Sequence, residues 1–251
     1  MNEPIIKLLE RHSAGFHFKH CAATDVPSKA RPSMFAGWVV SIRGTWYFMT
    51  AGHAVAALQG LKENNAIITD CFFDHSLNLG AKTPQPVPLA FKDLSFFQMY
   101  NKEANIDFGL ILIPNGQRVL LSQQAISPVN ETIWDGIDTI EFEKDAFYLA
   151  GIHNTRLGSG KHPLTALKVE ETDGAGGDTF TGSLPERPAE MKEPLNGGAI
   201  FGFNKARDKY WMVALLSQPP DADGRLEGCY LQPFIRLIED QMEVVKKQHK
   251  K

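Results

Sequence analysis

The stretch FAGWVVSI-RG-TWYFMTAGH, residues 35–53, holds two β-branched and aromatic runs separated by Arg43-Gly44. Such residues favour strands, and the Arg-Gly break between them predicts a β-hairpin. The second run ends on Thr50-Ala51-Gly52-His53, and a short helical pattern, residues 54–61, comes next. A histidine is thus delivered at the end of a buried strand, where a side chain is held by a rigid frame.

Two further stretches match this one in kind. Asn105-Ile106-Asp107-Phe108-Gly109-Leu110-Ile111 places an aspartate at the start of an apolar strand, 54 residues beyond His53. Asn196-Gly197-Gly198-Ala199-Ile200-Phe201 opens a third strand, and the apolar run 211–217, WMVALLS, comes after it. Strand patterns also occupy residues 66–73, 89–100, 146–152, 165–171 and 228–231. Residues 81–88 hold three prolines and suit a loop or an edge, and residues 114–127 read as a joining stretch. Many short strands divided by turn signals predict an all-β barrel or sandwich.

The ends of the chain read differently. Pro4 with Ile5, Ile6, Leu8 and Leu9 predicts a short amphipathic helix, and residues 22–32 are polar and rich in turn formers. Phe234, Ile235, Leu237, Ile238, Met242 and Val245 predict a C-terminal helix, with the basic tail KKQHKK as solvated charge.

Composition narrows the function classes. The 251 residues carry a formal charge of −3, which offers no field to attract nucleic acid or an anionic membrane. No apolar run is long enough to span a bilayer, and the first residues lack the pattern of a secretory signal. Cys21, Cys71 and Cys229 are odd in number and widely spaced, so a reducing compartment, the cytoplasm, is expected. His17 and His20 with Cys21 have the look of half a metal site, but no second pair of ligands completes it, and no metal or cofactor is expected.

The three stretches, in this order and spacing, resemble the trypsin-like serine proteases of the chymotrypsin fold. The resemblance runs from Phe35 to the C-terminal helix beyond Gly228-Cys229-Tyr230. It implies two Greek-key antiparallel β-barrels flanked by an N-terminal and a C-terminal helix. It divides the chain into residues 1–32, helix and extension; 33–119, first barrel; 120–232, linker and second barrel; and 233–251, helix and tail. It assigns His53 as general base and Asp107 as the group that orients it. Position 196 becomes the nucleophile's, residues 194–197 the oxyanion loop, and Ala214, Leu216, Ser217 and Gln218 the strand that pairs with substrate.

The chain departs from that pattern at the nucleophile. Asn196 stands where the family has serine, and a carboxamide neither attacks a carbonyl nor yields a proton to histidine. Pro194 stands where a glycine N–H would face the oxyanion, and proline has no N–H. Leu195 replaces an aspartate. In subtilisin, loss of the nucleophile costs about a millionfold in turnover. Loss of one oxyanion donor costs roughly a hundred- to a thousandfold.

Plainer roles exist for each residue. His53 could be a polar turn residue, Asp107 a strand cap and Asn196-Gly197 a hairpin turn. Ser159 and Ser183 precede the paired strands the fold requires and read as loop residues, and Glu190 falls near the expected base of a specificity pocket. The reading that absorbs most of the sequence is a trypsin-like pseudoprotease that binds a peptide or protein partner. The alternatives are an active serine endopeptidase with its nucleophile elsewhere, and a structural assembly module.

Overall fold

A computed structural model describes residues 3–74, 85–134, 147–153, 164–172, 179–185, 195–204 and 209–248. Helix α1 (Glu3–Glu10) leads into β1 (Ser13–Cys21), β2 (Arg31–Ile42) and β3 (Thr45–Thr50), then helix α2 (Gly52–Glu63). Strands β4 (Ile67–Asp74), β5 (Val87–Pro88), β6 (Phe96–Asn101) and β7 (Ile106–Leu112) come next, then helices α3 (Asn115–Gln123) and α4 (Glu131–Trp134). The second half holds β8 (Phe147–His153), β9 (Leu164–Glu171), β10 (Thr179–Ser183), β11 (Leu195–Phe203), β12 (Tyr210–Leu216) and β13 (Arg225–Tyr230), closed by helix α5 (Leu231–Gln248).

Two sheets result. The first has seven strands in the order β5-β4-β1-β2-β3-β7-β6, and the second closes into a barrel, β10-β13-β12-β11-β8-β9. With the two-residue edge strand β5 set aside, each unit has six strands among the described residues. In each, the spatial cycle reads first, second, third, sixth, fifth, fourth. The chain therefore writes one antiparallel Greek-key topology twice. The second copy is closed by the β9–β10 pairing of Gly182 with Glu171. The first has no β4–β6 ladder among the described residues.

The all-β expectation with a helix at each end holds. One element was not anticipated. Ser13–Cys21 is a nine-residue strand in the middle of the first sheet, paired with β2 on one side and β4 on the other. Ala14, Phe16 and Phe18 point into the core at strand spacing. The stretch of residues 114–127, read as a joining stretch, contains α3, which buries only Leu121 fully.

Burial explains the unbroken apolar run of β2. Val39 faces a core with Phe16, Phe48 and Phe73 inside the first unit. Trp38, Val40 and Ile42 face the opposite way, into a second core with Phe108, Phe201, Met212 and Phe234. A strand covered on both faces needs no polar alternation. A third core, with Leu149, Phe180, Ile200 and Val213, fills the closed barrel. The core between the units also takes Ile5, Ile6 and Leu9 of α1 and Ile235 and Ile238 of α5, so both terminal helices seal the joint.

Candidate functional site

The site is assembled where the units meet. Strand β3 ends at Thr50, Ala51 holds an extended conformation at the N-cap, and α2 begins at Gly52. A Cβ at Gly52 would lie 2.7 Å from the Met99 carbonyl oxygen and 2.8 Å from that of Phe108. Only glycine lets the helix start press this close to β6 and β7. The close approach sets His53 against Asp107, the second residue of β7.

Asp107 is buried and accepts two hydrogen bonds from His53. The backbone N–H of His53 donates to Oδ1 at 2.8 Å, and ring Nδ1 donates to Oδ2 at 2.7 Å. This arrangement fixes the tautomer: the proton sits on Nδ1, and among the described residues none bonds Nε2. The hydrogen bond to Asp107 holds the His53 pKa above the usual imidazole value, against the opposing effect of burial. The ring is still well exposed, with 62% of its side chain accessible, while Asp107 is almost enclosed. The exposed Tyr100 ring, 6.1 Å away centroid to centroid, meets His53 edge-on.

The second unit supplies the facing wall. Leu195 and Asn196 lie on β11, where Leu195 pairs with His153 and Asn196 with Ile152 of β8. The next paired residue is Ala199, opposite Ala150, so β11 bulges by one residue at Gly197-Gly198. Gly197 has φ +60, and a Cβ there would meet the Ala36 carbonyl oxygen at 2.2 Å. Its own carbonyl accepts a 2.7 Å hydrogen bond from the Trp38 indole. The bulge is thereby locked to β2 of the first unit.

Ala214, Leu216, Ser217 and Gln218 lie along and just past β12. Ala214 pairs with Ile200 on one side and Tyr230 on the other. Leu216 pairs with Gly228, the Ser217 N–H donates to the Glu227 carbonyl, and the Gln218 side chain donates to Asn105 Oδ1 at 2.6 Å. A cleft of about 500 Å³ brings these parts together, with His53, Asp107, Gly197, Leu216, Ser217 and Gln218 on its walls. Met34, Phe35 and Ala36 of β2 line its other end.

The other residues weighed from the sequence are not all placed. Pro194, Glu190 and Ser159 lie outside the described residues. Ser183 is a ladder residue of β10 opposite Arg225. His17 stacks on Phe72 and bonds Asp74 at 3.0 Å. Among the described residues no three His, Cys, Asp or Glu side chains converge as metal ligands. No described helix is long and apolar enough to cross a membrane. Residues the sequence did not single out include Trp38 and Tyr100, and also Cys229, whose sulfur accepts from the Asp107 N–H at 3.3 Å. The signal for Cys229 was present in Gly228-Cys229-Tyr230, but only as a family landmark.

No family model matches the chain, and no curated protein matches it in sequence. Solved structures similar to it include a mutant of the tobacco etch virus protease, at 10% identity and TM-score 0.46, covering 93% of this chain and 79% of that one. The protease Anisep from Arthrobacter nicotinovorans is similar at 13% identity and TM-score 0.46, covering 88% and 90%. A Glu endopeptidase is similar at 10% identity and TM-score 0.47, covering 90% and 89%.

Proposed function

We propose that the chain is a trypsin-like pseudoprotease whose cleft holds an extended peptide, or a segment of a protein partner, without cleaving it. The observation that carries this reading is a formed His53–Asp107 pair opening on a cleft at the unit joint, in a chain whose residue 196 is asparagine. The general base is oriented and no described residue bonds its Nε2, but position 196 offers no hydroxyl for it to deprotonate.

Two strand edges explain how binding outlasts chemistry. On the β11 side of β12 the last paired residue is Leu215, opposite Ala199, so residues 216–218 have no ladder partner there among the described residues. On the β3 side of β2 pairing begins at Trp38, opposite Met49, and the Ala36 carbonyl is taken by the Thr50 hydroxyl, so residues 32–35 line the cleft without a ladder partner on that side among the described residues. Main-chain hydrogen bonds from such edges need no nucleophile. The cleft walls from Met34, Phe35, Ala36, Leu215, Leu216 and Pro219 are apolar, which suits a segment with uncharged side chains.

The test combines a photoreactive residue at Gln218 with a fluorophosphonate probe. Capture of an extended peptide at Gln218 with no serine labelled is the expected result. One observation favours a second reading, an active endopeptidase with its nucleophile elsewhere: both N–H groups of His53 are engaged by a single buried carboxylate, as a working base requires. A labelled serine, with labelling lost in His53→Ala, would establish that reading in place of the first.

A further inference from the structure

Cys229 is buried on β13 and is not part of the cleft wall. Its sulfur lies 2.8 Å from the Asn105 carbonyl oxygen, 3.3 Å from the Asp107 backbone nitrogen and 3.2 Å from Ser217 Oγ. A thiol has one proton. The carbonyl can only accept and the amide can only donate, so S–H points at Asn105 and the sulfur accepts from Asp107. The remaining contact is then a bond donated by the Ser217 hydroxyl. Burial pushes the Cys229 pKa up, which keeps that proton on sulfur.

These contacts join the two units at one point. Asn105 and Asp107 flank the first residue of β7, whereas Cys229 and Ser217 belong to the second unit. Asn105 has φ +53, a left-handed conformation uncommon outside glycine. Its side chain is held from the second unit as well, by Glu227 at 2.5 Å and by Gln218. Both carboxylate oxygens of Asp107 are engaged by His53, so its backbone is what remains to locate it.

We propose that Cys229 is a positioning residue, which fixes the Asp107 backbone where its carboxylate grips both N–H groups of His53. The inference rests on reading His53–Asp107 as the working pair of the cleft. It assigns the thiol a role through hydrogen bonds and not through its volume alone.

The experiment titrates the His53 imidazole by NMR in the full chain, with the signal assigned by its loss in His53→Ala. Cys229→Val keeps the bulk and removes every polar contact, and it is expected to lower the His53 midpoint by roughly one pH unit. Cys229→Ser can donate one hydrogen bond and accept two, and it is expected to titrate near the parent. If the valine variant does not fold, Cys229→Ala carries the same expectation. A midpoint unchanged in the apolar variant, or a serine variant that falls as far, would overturn the assignment. Peptide capture at Gln218 is read separately. Its failure with the titration pattern intact removes the binding reading and leaves Cys229 in its role.

Discussion

His53 and Asp107 form an oriented pair, and on the proposed reading the residues around position 196 decide whether hydrolysis can be recovered. Asn196→Ser alone is expected to restore little of it, because Pro194 still lacks the N–H that would face an oxyanion. Asn196→Ser with Pro194→Gly should exceed the single variant by about a hundredfold or more, measured as turnover of a chromogenic ester. Full activity in the single variant would show that Pro194 is harmless. Gly197 is a separate constraint. Alanine there would need a left-handed backbone and would press a methyl into the Ala36 carbonyl. Gly197→Ala should lose about 2 kcal/mol or more in urea unfolding, and it should weaken peptide capture as the bulge shifts. At this scale much of the pair was readable, since His53 and Asp107 sit in short motifs at the ends of apolar strand runs. Cys229 was not, because its role depends on two segments, 105–107 and 217, that meet only in the folded molecule.

Elements were legible where one face or both had to be buried. The apolar runs of β2, β3 and β12 announce themselves, and α5 shows its stripe. Strand β1 hid because its alternation is written with histidine and lysine: His17, Lys19 and His20 interleave with Phe16 and Phe18, and the histidines suggest ligands first. Helix α3 hid because it leaves Val119 and Leu120 exposed, so its pattern is faint. The α5 helix matters beyond its own stability. Phe234 stacks on Phe108 with ring centroids 5.0 Å apart, one residue from Asp107. Arg43, at the β2–β3 turn, reaches Glu239 at 3.2 Å and also bonds Glu243. The ion pairs are exposed and contribute little, so the aromatic contact is the stronger anchor. Phe234→Ala should cost about 3 kcal/mol in chemical unfolding, whereas Arg43→Ala should stay within about 1 kcal/mol. Equal losses would show that the helix is held by its charges.

The molecule as a whole is one topology written twice; the resemblance implied this as two Greek-key barrels, but the strand patterns alone did not, because strand order is set by contacts between distant segments. What binds the halves is a buried joint, and a histidine at its margin is expected to make it sensitive to acid. His12 is 2% exposed. Its Nδ1 donates to the Ser127 carbonyl at 2.6 Å, and its Nε2 accepts from the Tyr210 hydroxyl at 2.6 Å. Arg11 in turn donates to that hydroxyl at 2.5 Å. Tyr210 opens β12 of the second unit, so this chain of bonds ties the N-terminal segment to the barrel. Burial lowers the His12 pKa to about 4, with the Arg11 charge acting in the same direction and the Ser127 bond opposing. In the unfolded chain the imidazole titrates near its ordinary value of about 6.5. Between these values the unfolded chain binds a proton that the folded protein refuses. The neutral His12 network therefore contributes fully above about pH 6.5, and its contribution falls as pH drops toward 4, by about 3 kcal/mol in all. His12→Gln keeps a donor and an acceptor but cannot titrate. Stability measured by urea unfolding from pH 7 to pH 4 should fall less steeply in this variant than in the parent. Parallel slopes would place the acid sensitivity in the carboxylates and leave His12 without a part in it.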